Sequence, residues 1–329
     1  MTGKKSILQF LIVTLGFLAS AMTTSAVTGT QMTKTHDEKE KKEQKCYNIS
    51  PQIPTYVTFA GEKIELTLQD RRERMDREML SFCYSHINTM LQIKRANRLF
   101  PIVEPILEKH GIPSDFKYLM IIECNGDVEA RSNAGAAGPW QFLEKTGRQY
   151  GLEVNGEVDE RYNIEKATVA ACKYLKESYE EYGDWLTVAA SYNTGRANIA
   201  KRINAQKEDK AINLVLLPET SRYIFRLLAI KTIFSAPQTY GFVLKESDLY
   251  PTIPIAKTIT VSNAVTSWAD IAKEHGLTYL QLHEANPWIR SASMANRNSR
   301  KYIVKIPDAK TLRYDPEKTK AHDRRWISE

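Results

Sequence analysis

Between residues 116 and 124 the chain reads Phe116-Lys117-Tyr118-Leu119-Met120-Ile121-Ile122-Glu123-Cys124. At 3.6 residues per turn Phe116, Leu119, Met120 and Glu123 share one face, so a carboxylate joins an apolar stripe. An ionised carboxylate buried alone is costly; such a Glu either pairs with a cation or keeps its proton at a raised pKa. No Lys or Arg stands on that face. Ser114 or Asp115 is expected to cap this helix, and Asn125 and Gly126 to end it. Similar patterns predict two helices between Leu66 and Lys109, where Pro101 and Pro105 are tolerated at helix starts. Others are expected at Ile164–Tyr182, at Asp184–Tyr192 with Asp184 as cap, and at Pro218–Phe234, so the stretch from about 66 to 235 is helical in pattern. Beyond Pro237, Pro251 and Pro254 a smaller piece reads strand (Thr258–Val261), helix (Trp268–His275), helix (Tyr279–Asn286), strand (Tyr302–Ile306).

Ahead of the helices, Lys4 and Lys5 precede an apolar run from Ile7 to Ala19, followed by small and polar residues. This reads as a secretory signal peptide at 1–26, since about 13 apolar residues are too few to span a bilayer. No stable membrane span is expected after its removal. Residues 28–45 are polar and highly charged, a solvated linker. The whole chain of 329 residues is 42% hydrophobic and 26% charged, the make-up of a soluble globular protein of two modest domains. Its formal net charge of +7 is spread along the chain without a basic stripe, which argues against a nucleic-acid partner. Cys46, Cys83, Cys124 and Cys172 lack metal-ligand spacing, so neither zinc nor another metal is expected; they are either buried thiols or up to two disulfides.

A small-residue loop, Ala130 to Pro139, leads into Trp140-Gln141-Phe142. Gly and Ala permit close approach of a ligand to the backbone, and Trp and Gln are suited to stacking on sugar rings and bridging their hydroxyls. Together with Glu123-Cys124, with Ala190-Ser191-Tyr192-Asn193-Thr194-Gly195 and with Leu217-Pro218-Glu219-Thr220 followed by Tyr223, this segment resembles the lytic murein transglycosylases with a goose-lysozyme-like helical domain, most closely the membrane-bound lytic murein transglycosylase D group. Glu123 stands where that family's Glu-Ser motif places the acid, with Cys124 replacing the Ser. Gly138-Pro139-Trp140-Gln141 is similar to Gly-x-x-Gln, and Ser191 to Gly195 to Ala-Tyr-Asn-x-Gly. The end piece resembles a LysM module through Ile271-Ala272, Gly276, Leu280, Asn286-Pro287-Trp288 and Ile303-Val304-Lys305-Ile306-Pro307, although Asn263-Ala264-Val265-Thr266 replaces its usual Gly-Asp turn.

The resemblance implies a mainly α fold, a lysozyme-like catalytic domain plus a small α+β (βααβ) LysM-like module. The expected organisation is a signal peptide at 1–26, a polar linker and extension at 27–65, the transglycosylase domain at 66–240, a linker at 241–256, the LysM-like domain at 257–308 and a charged tail at 309–329. It also implies an exported lyase of the cell envelope or periplasm that acts on peptidoglycan glycan strands without a cofactor. The C6 hydroxyl of N-acetylmuramic acid attacks its own C1, so one acid, Glu123, suffices where most glycosidases need two carboxylates. Asp127 reads as a turn residue. Tyr192, Asn193 and Tyr223 are expected to bond the N-acetyl group or the developing oxocarbenium ion, Gln141 to hold a neighbouring sugar, and Trp140 and Cys124 to line the substrate. Two other readings share the fold: a peptidoglycan-binding scaffold that lost catalysis through Cys124, and a hydrolase of the goose-lysozyme kind.

Overall fold

The computed structural model describes residues 49–328, so the signal peptide, the polar linker up to residue 45 and Cys46 lie outside the described residues. A hairpin comes first: β1 (Tyr56–Phe59) pairs antiparallel with β2 (Glu62–Glu65). Its two-residue turn, Ala60-Gly61, has positive φ at both positions, the type I′ geometry that matches strand twist. The hairpin occupies the last part of the expected linker and extension at 27–65. Val57 and Phe59 turn inward, and the Phe59 ring meets Phe116 edge-on at 5.6 Å.

Eight helices follow: α1 (Gln69–Tyr84), α2 (His86–Lys109), α3 (Phe116–Cys124), α4 (Glu144–Gln149), α5 (Ile164–Tyr182), α6 (Trp185–Thr194), α7 (Arg196–Gln206) and α8 (Pro218–Ser235). One core unites them, with α8 buried along most of its length and packed against α1, α3 and α6. Helix α2 runs unbroken through Pro101 and Pro105. Pro101 is partly exposed and Pro105 exposed, while Phe100, Val103 and Leu107 hold the helix to the core. Asp184 caps α6, its Oδ2 accepting from the Thr187 amide at 2.8 Å. Asp115 does not cap α3; its carboxylate instead accepts from the Ala60 amide at 2.7 Å and pairs with Lys231 at 2.6 Å, tying the hairpin to α8.

The end piece is built from β3 (Ile255–Val261), α9 (Trp268–Glu274), α10 (Tyr279–Ala285) and β4 (Tyr302–Pro307), the two strands pairing antiparallel. Its core of Trp268, Leu282, Trp288, Val304 and Ile306 also takes in Val158 from the loop before α5. Backbone bonds join the two parts: Asp159 donates to Trp288, and Arg290 to Glu157, each at 2.9 Å. The last residues, expected as a charged tail, return to the helical core. Trp326 is buried there between Phe100 and Phe234 and donates its Nε1 hydrogen to the Phe234 carbonyl at 3.0 Å. An indole surrounded by charged neighbours gains more from that slot than from water. Cys83, Cys124 and Cys172 are buried free thiols, which settles for these three the choice between packing and disulfides. No helix among the described residues is long and apolar enough to cross a membrane.

Candidate active site

Glu123 ends the apolar stripe of α3, with Phe116, Leu119 and Met120 buried beneath it while its own side chain stays partly open. Asn125 adopts the left-handed conformation and stops the helix directly after the acid. Among the described residues no cation lies within 4 Å of the carboxylate. Its partner is Tyr223 on α8, whose hydroxyl donates to Glu123 Oε1 at 2.5 Å. Burial raises the Glu123 pKa from 4.5 to about 7; the Tyr223 hydrogen bond and the charge of Arg226 pull it down, and Glu219 adds a small upward push. A proton is thus held close to neutral pH on an acid that retains access to solvent.

Tyr192 and Asn193 close α6 beside this pair. Burial, then the nearby Glu123 charge, raises the Tyr192 pKa well above its usual value, so its phenol stays protonated. That hydroxyl donates to the Trp140 carbonyl at 2.6 Å and fastens the 130–142 loop to α6. The Asn193 side-chain oxygen accepts from Thr220 Oγ1 at 2.9 Å, which links the ends of α6 and α8. The loop itself is fixed from below. At Gly138, φ is +78°, and a Cβ would sit 1.8 Å from the Arg161 carbonyl, so only glycine fits. Arg161 is buried, pairs with Asp159 at 2.7 Å and donates Nη1 hydrogens to the Gly135 and Phe142 carbonyls.

Several expected roles change here. Trp140 has no exposed surface; its Nε1 hydrogen goes to Thr168 Oγ1 at 2.9 Å, so it anchors the loop in the core and offers no face to a sugar. The Gln141 amide nitrogen donates to the Ala130 and Gly138 carbonyls at 2.9 and 2.8 Å; the side chain folds the loop, leaving only its oxygen to meet a ligand. Tyr223 directs its hydroxyl hydrogen at the acid. Cys124 is buried, its thiol donating to the Met120 carbonyl at 3.2 Å, and burial pushes its pKa up to about 12. It packs as a buried thiol on α3. Asp127 is a turn residue: its Oδ1 accepts from the Glu129 amide at 3.0 Å. Sequence reasoning missed Arg161 and gave Thr220 no role of its own. Nothing local singles out Arg161, whose job depends on a loop brought near by the fold, whereas Thr220 lies inside the Leu217–Thr220 motif.

Residues 102–215 match the transglycosylase SLT domain family, and residues 257–310 the soluble lytic transglycosylase C-terminal LysM-like domain family. The proteins named membrane-bound lytic murein transglycosylase D from two strains of Escherichia coli are each 27% identical to the chain over 263 residues. The aligned region covers 78% of this chain and 56% of those proteins, so the chain spans about half the length of the curated relatives it matches.

Proposed function

We propose that this chain, which carries a transglycosylase SLT domain and a C-terminal LysM-like domain, is an exported peptidoglycan lytic transglycosylase with Glu123 as its single general acid and base. The observation that supports this most is the Glu123 carboxyl, desolvated on an apolar face, bonded to one phenol and free of any cation within 4 Å among the described residues. An acid poised near neutrality donates to the glycosidic oxygen and then, as carboxylate, accepts a proton. Tyr223 steadies the carboxylate after donation, because its hydrogen bond favours the ionised form.

In the proposed sequence, the protonated Glu123 gives its proton to the oxygen between N-acetylmuramic acid and N-acetylglucosamine as the C1–O bond breaks. The C6 hydroxyl of the same muramic residue then attacks C1, and Glu123 takes the hydroxyl proton. No water is consumed, and the product carries a 1,6-anhydro ring. Asp127, four residues after the acid, is engaged in its own turn, with Oδ1 accepting from the Glu129 amide. The burial of Cys124 and its bond to the Met120 carbonyl favour this reading over that of a scaffold disabled by the thiol.

Glu123→Gln tests the assignment. The variant is expected to bind sedimented murein like the parent and to release no soluble muropeptide. Release at the parent's rate would remove Glu123 from the chemistry.

A further inference from the structure

A cleft of about 680 Å³ opens between the helical domain and the LysM-like module, walled by α2, the turn after α3, the start of α5, residues 250–258, α10 and β4. Arg95 and Arg98, one turn apart on α2, project into it. Each spends one donor on the backbone: Arg95 Nη1 on the Asn125 carbonyl at 3.0 Å, Arg98 Nε on the Pro251 carbonyl at 2.9 Å. Neither has a carboxylate within 4 Å among the described residues. Arg98 is partly buried, and burial lowers its pKa.

The other charges of the wall are mostly satisfied. Glu129 meets Arg290 at 3.4 Å, and Glu165 pairs with Lys305. Glu284 and Asp127 are without an ion-pair partner among the described residues; the Glu284 charge acts on Arg98, while Asp127 Oδ1 accepts from the Glu129 amide. Two guanidiniums with free donors thus share the space with the Glu284 carboxylate and with Asp127, one of whose oxygens the Glu129 amide holds. The aromatic faces are already covered, since Trp288 stacks on Tyr302 at 5.6 Å and Arg290 lies over Tyr162 at 4.3 Å. Tyr250, a further ring of the wall, has the Arg98 guanidinium over it at 5.7 Å. The volume falls in the range of about 300–1,000 Å³ typical of sites that enclose a small ligand.

We propose that this cleft binds a short peptide carrying free carboxylates and one amine, with Arg95 and Arg98 on the carboxylates and Glu284 on the amine. The stem peptides of murein have that chemistry; their choice as occupant rests on the functional reading above, whereas the charge pattern stands without it. Guanidinium–carboxylate contacts are paired and charge-assisted, so binding is salt-sensitive and selective for the free acid. The cleft holds the peptide while the glycan lies at Glu123, and it makes cross-strand recognition a property of both domains together.

Calorimetric titration of the full chain with N-acetyl-alanyl-γ-D-glutamyl-lysine, whose one amine is on the lysine side chain, tests this. Saturable one-to-one binding is expected, weakening by roughly tenfold when the terminal carboxylate is amidated and in both Arg95→Gln and Arg98→Gln. Arg98→Lys is expected to keep part of the affinity, and thermal melts matching the parent show that loss is not unfolding. Absence of saturable binding, or binding that both glutamine variants leave unchanged, overturns the proposal. The wild-type protein is also expected to act faster at low concentration on intact murein than on peptide-free glycan; equal rates on both would deny the cleft its role. Inactivity on both would refute the enzymatic reading, and the titration would still decide separately whether the cleft takes a peptide.

Discussion

Glu123→Gln keeps the shape of the side chain and an oxygen to accept the Tyr223 hydroxyl, yet removes the titrating group. In the folded protein that carboxyl holds its proton to about 7, against 4.5 without the fold. Because the folded pKa is the higher one, the folded state binds the proton more tightly. The stabilisation this gives is complete below pH 4.5 and is lost as pH rises through 7. One pKa unit corresponds to about 1.4 kcal/mol, so the span amounts to about 3 kcal/mol, or about 2 once the partial exposure of Glu123 is allowed for. The glutamine variant lacks this loss. Relative to the parent it should therefore gain about 2–3 kcal/mol between about pH 4 and about pH 8.5, measured by urea denaturation with matched slopes. A stability difference that stays flat across that interval would show that the carboxyl ionises as in water. The desolvation argument would then fail.

Removing the phenol in Tyr223→Phe takes away a bond that favours the ionised acid, so the alkaline limb of the pH–rate profile should move up by roughly one unit. An unmoved limb would mean that the two groups do not communicate. Trp140→Ala is expected to cost about 3–5 kcal/mol in chemical denaturation, as a buried indole leaves a cavity. Loss of murein binding with less than about 1 kcal/mol of destabilisation would restore Trp140 as a sugar contact. Cys124→Ser should leave the rate within about threefold, since a hydroxyl bonds the Met120 carbonyl as the thiol does; a large gain would place residue 124 at the substrate. Trp326→Ala should destabilise the helical core by about 3 kcal/mol in the same denaturation assay. No change would show that the C-terminal segment does not dock.

Much of the site was legible because its signals are local. The stripe of Phe116, Leu119, Met120 and Glu123 needs only the helical period, and Asn125-Gly126 and Asp184 are end signals read from neighbours in sequence. The strands and helices of the end piece fall within about three residues of their expected bounds for the same reason. What escaped depends on distant partners. Pro101 and Pro105 look like helix breaks until the buried Phe100, Val103 and Leu107 hold α2 together. Val57 and Phe59 look like part of a polar extension until Phe116 receives them. Trp140 and Gln141 have the chemistry of sugar contacts, but Thr168 and the Ala130 and Gly138 carbonyls claim their donors first. Charged neighbours disguised Trp326, whose slot is made by α2 and α8.

The central claim is that one proton, held by Glu123 and returned to it, cleaves the glycan without water. Mass spectrometry of the soluble fragments released from purified murein tests it most directly. The account predicts muramic ends lighter by one water, the anhydro form, and none from the Glu123→Gln variant. Fragments with ordinary reducing ends would contradict it, because they require a water molecule in the attack that the C6 hydroxyl is assigned to make.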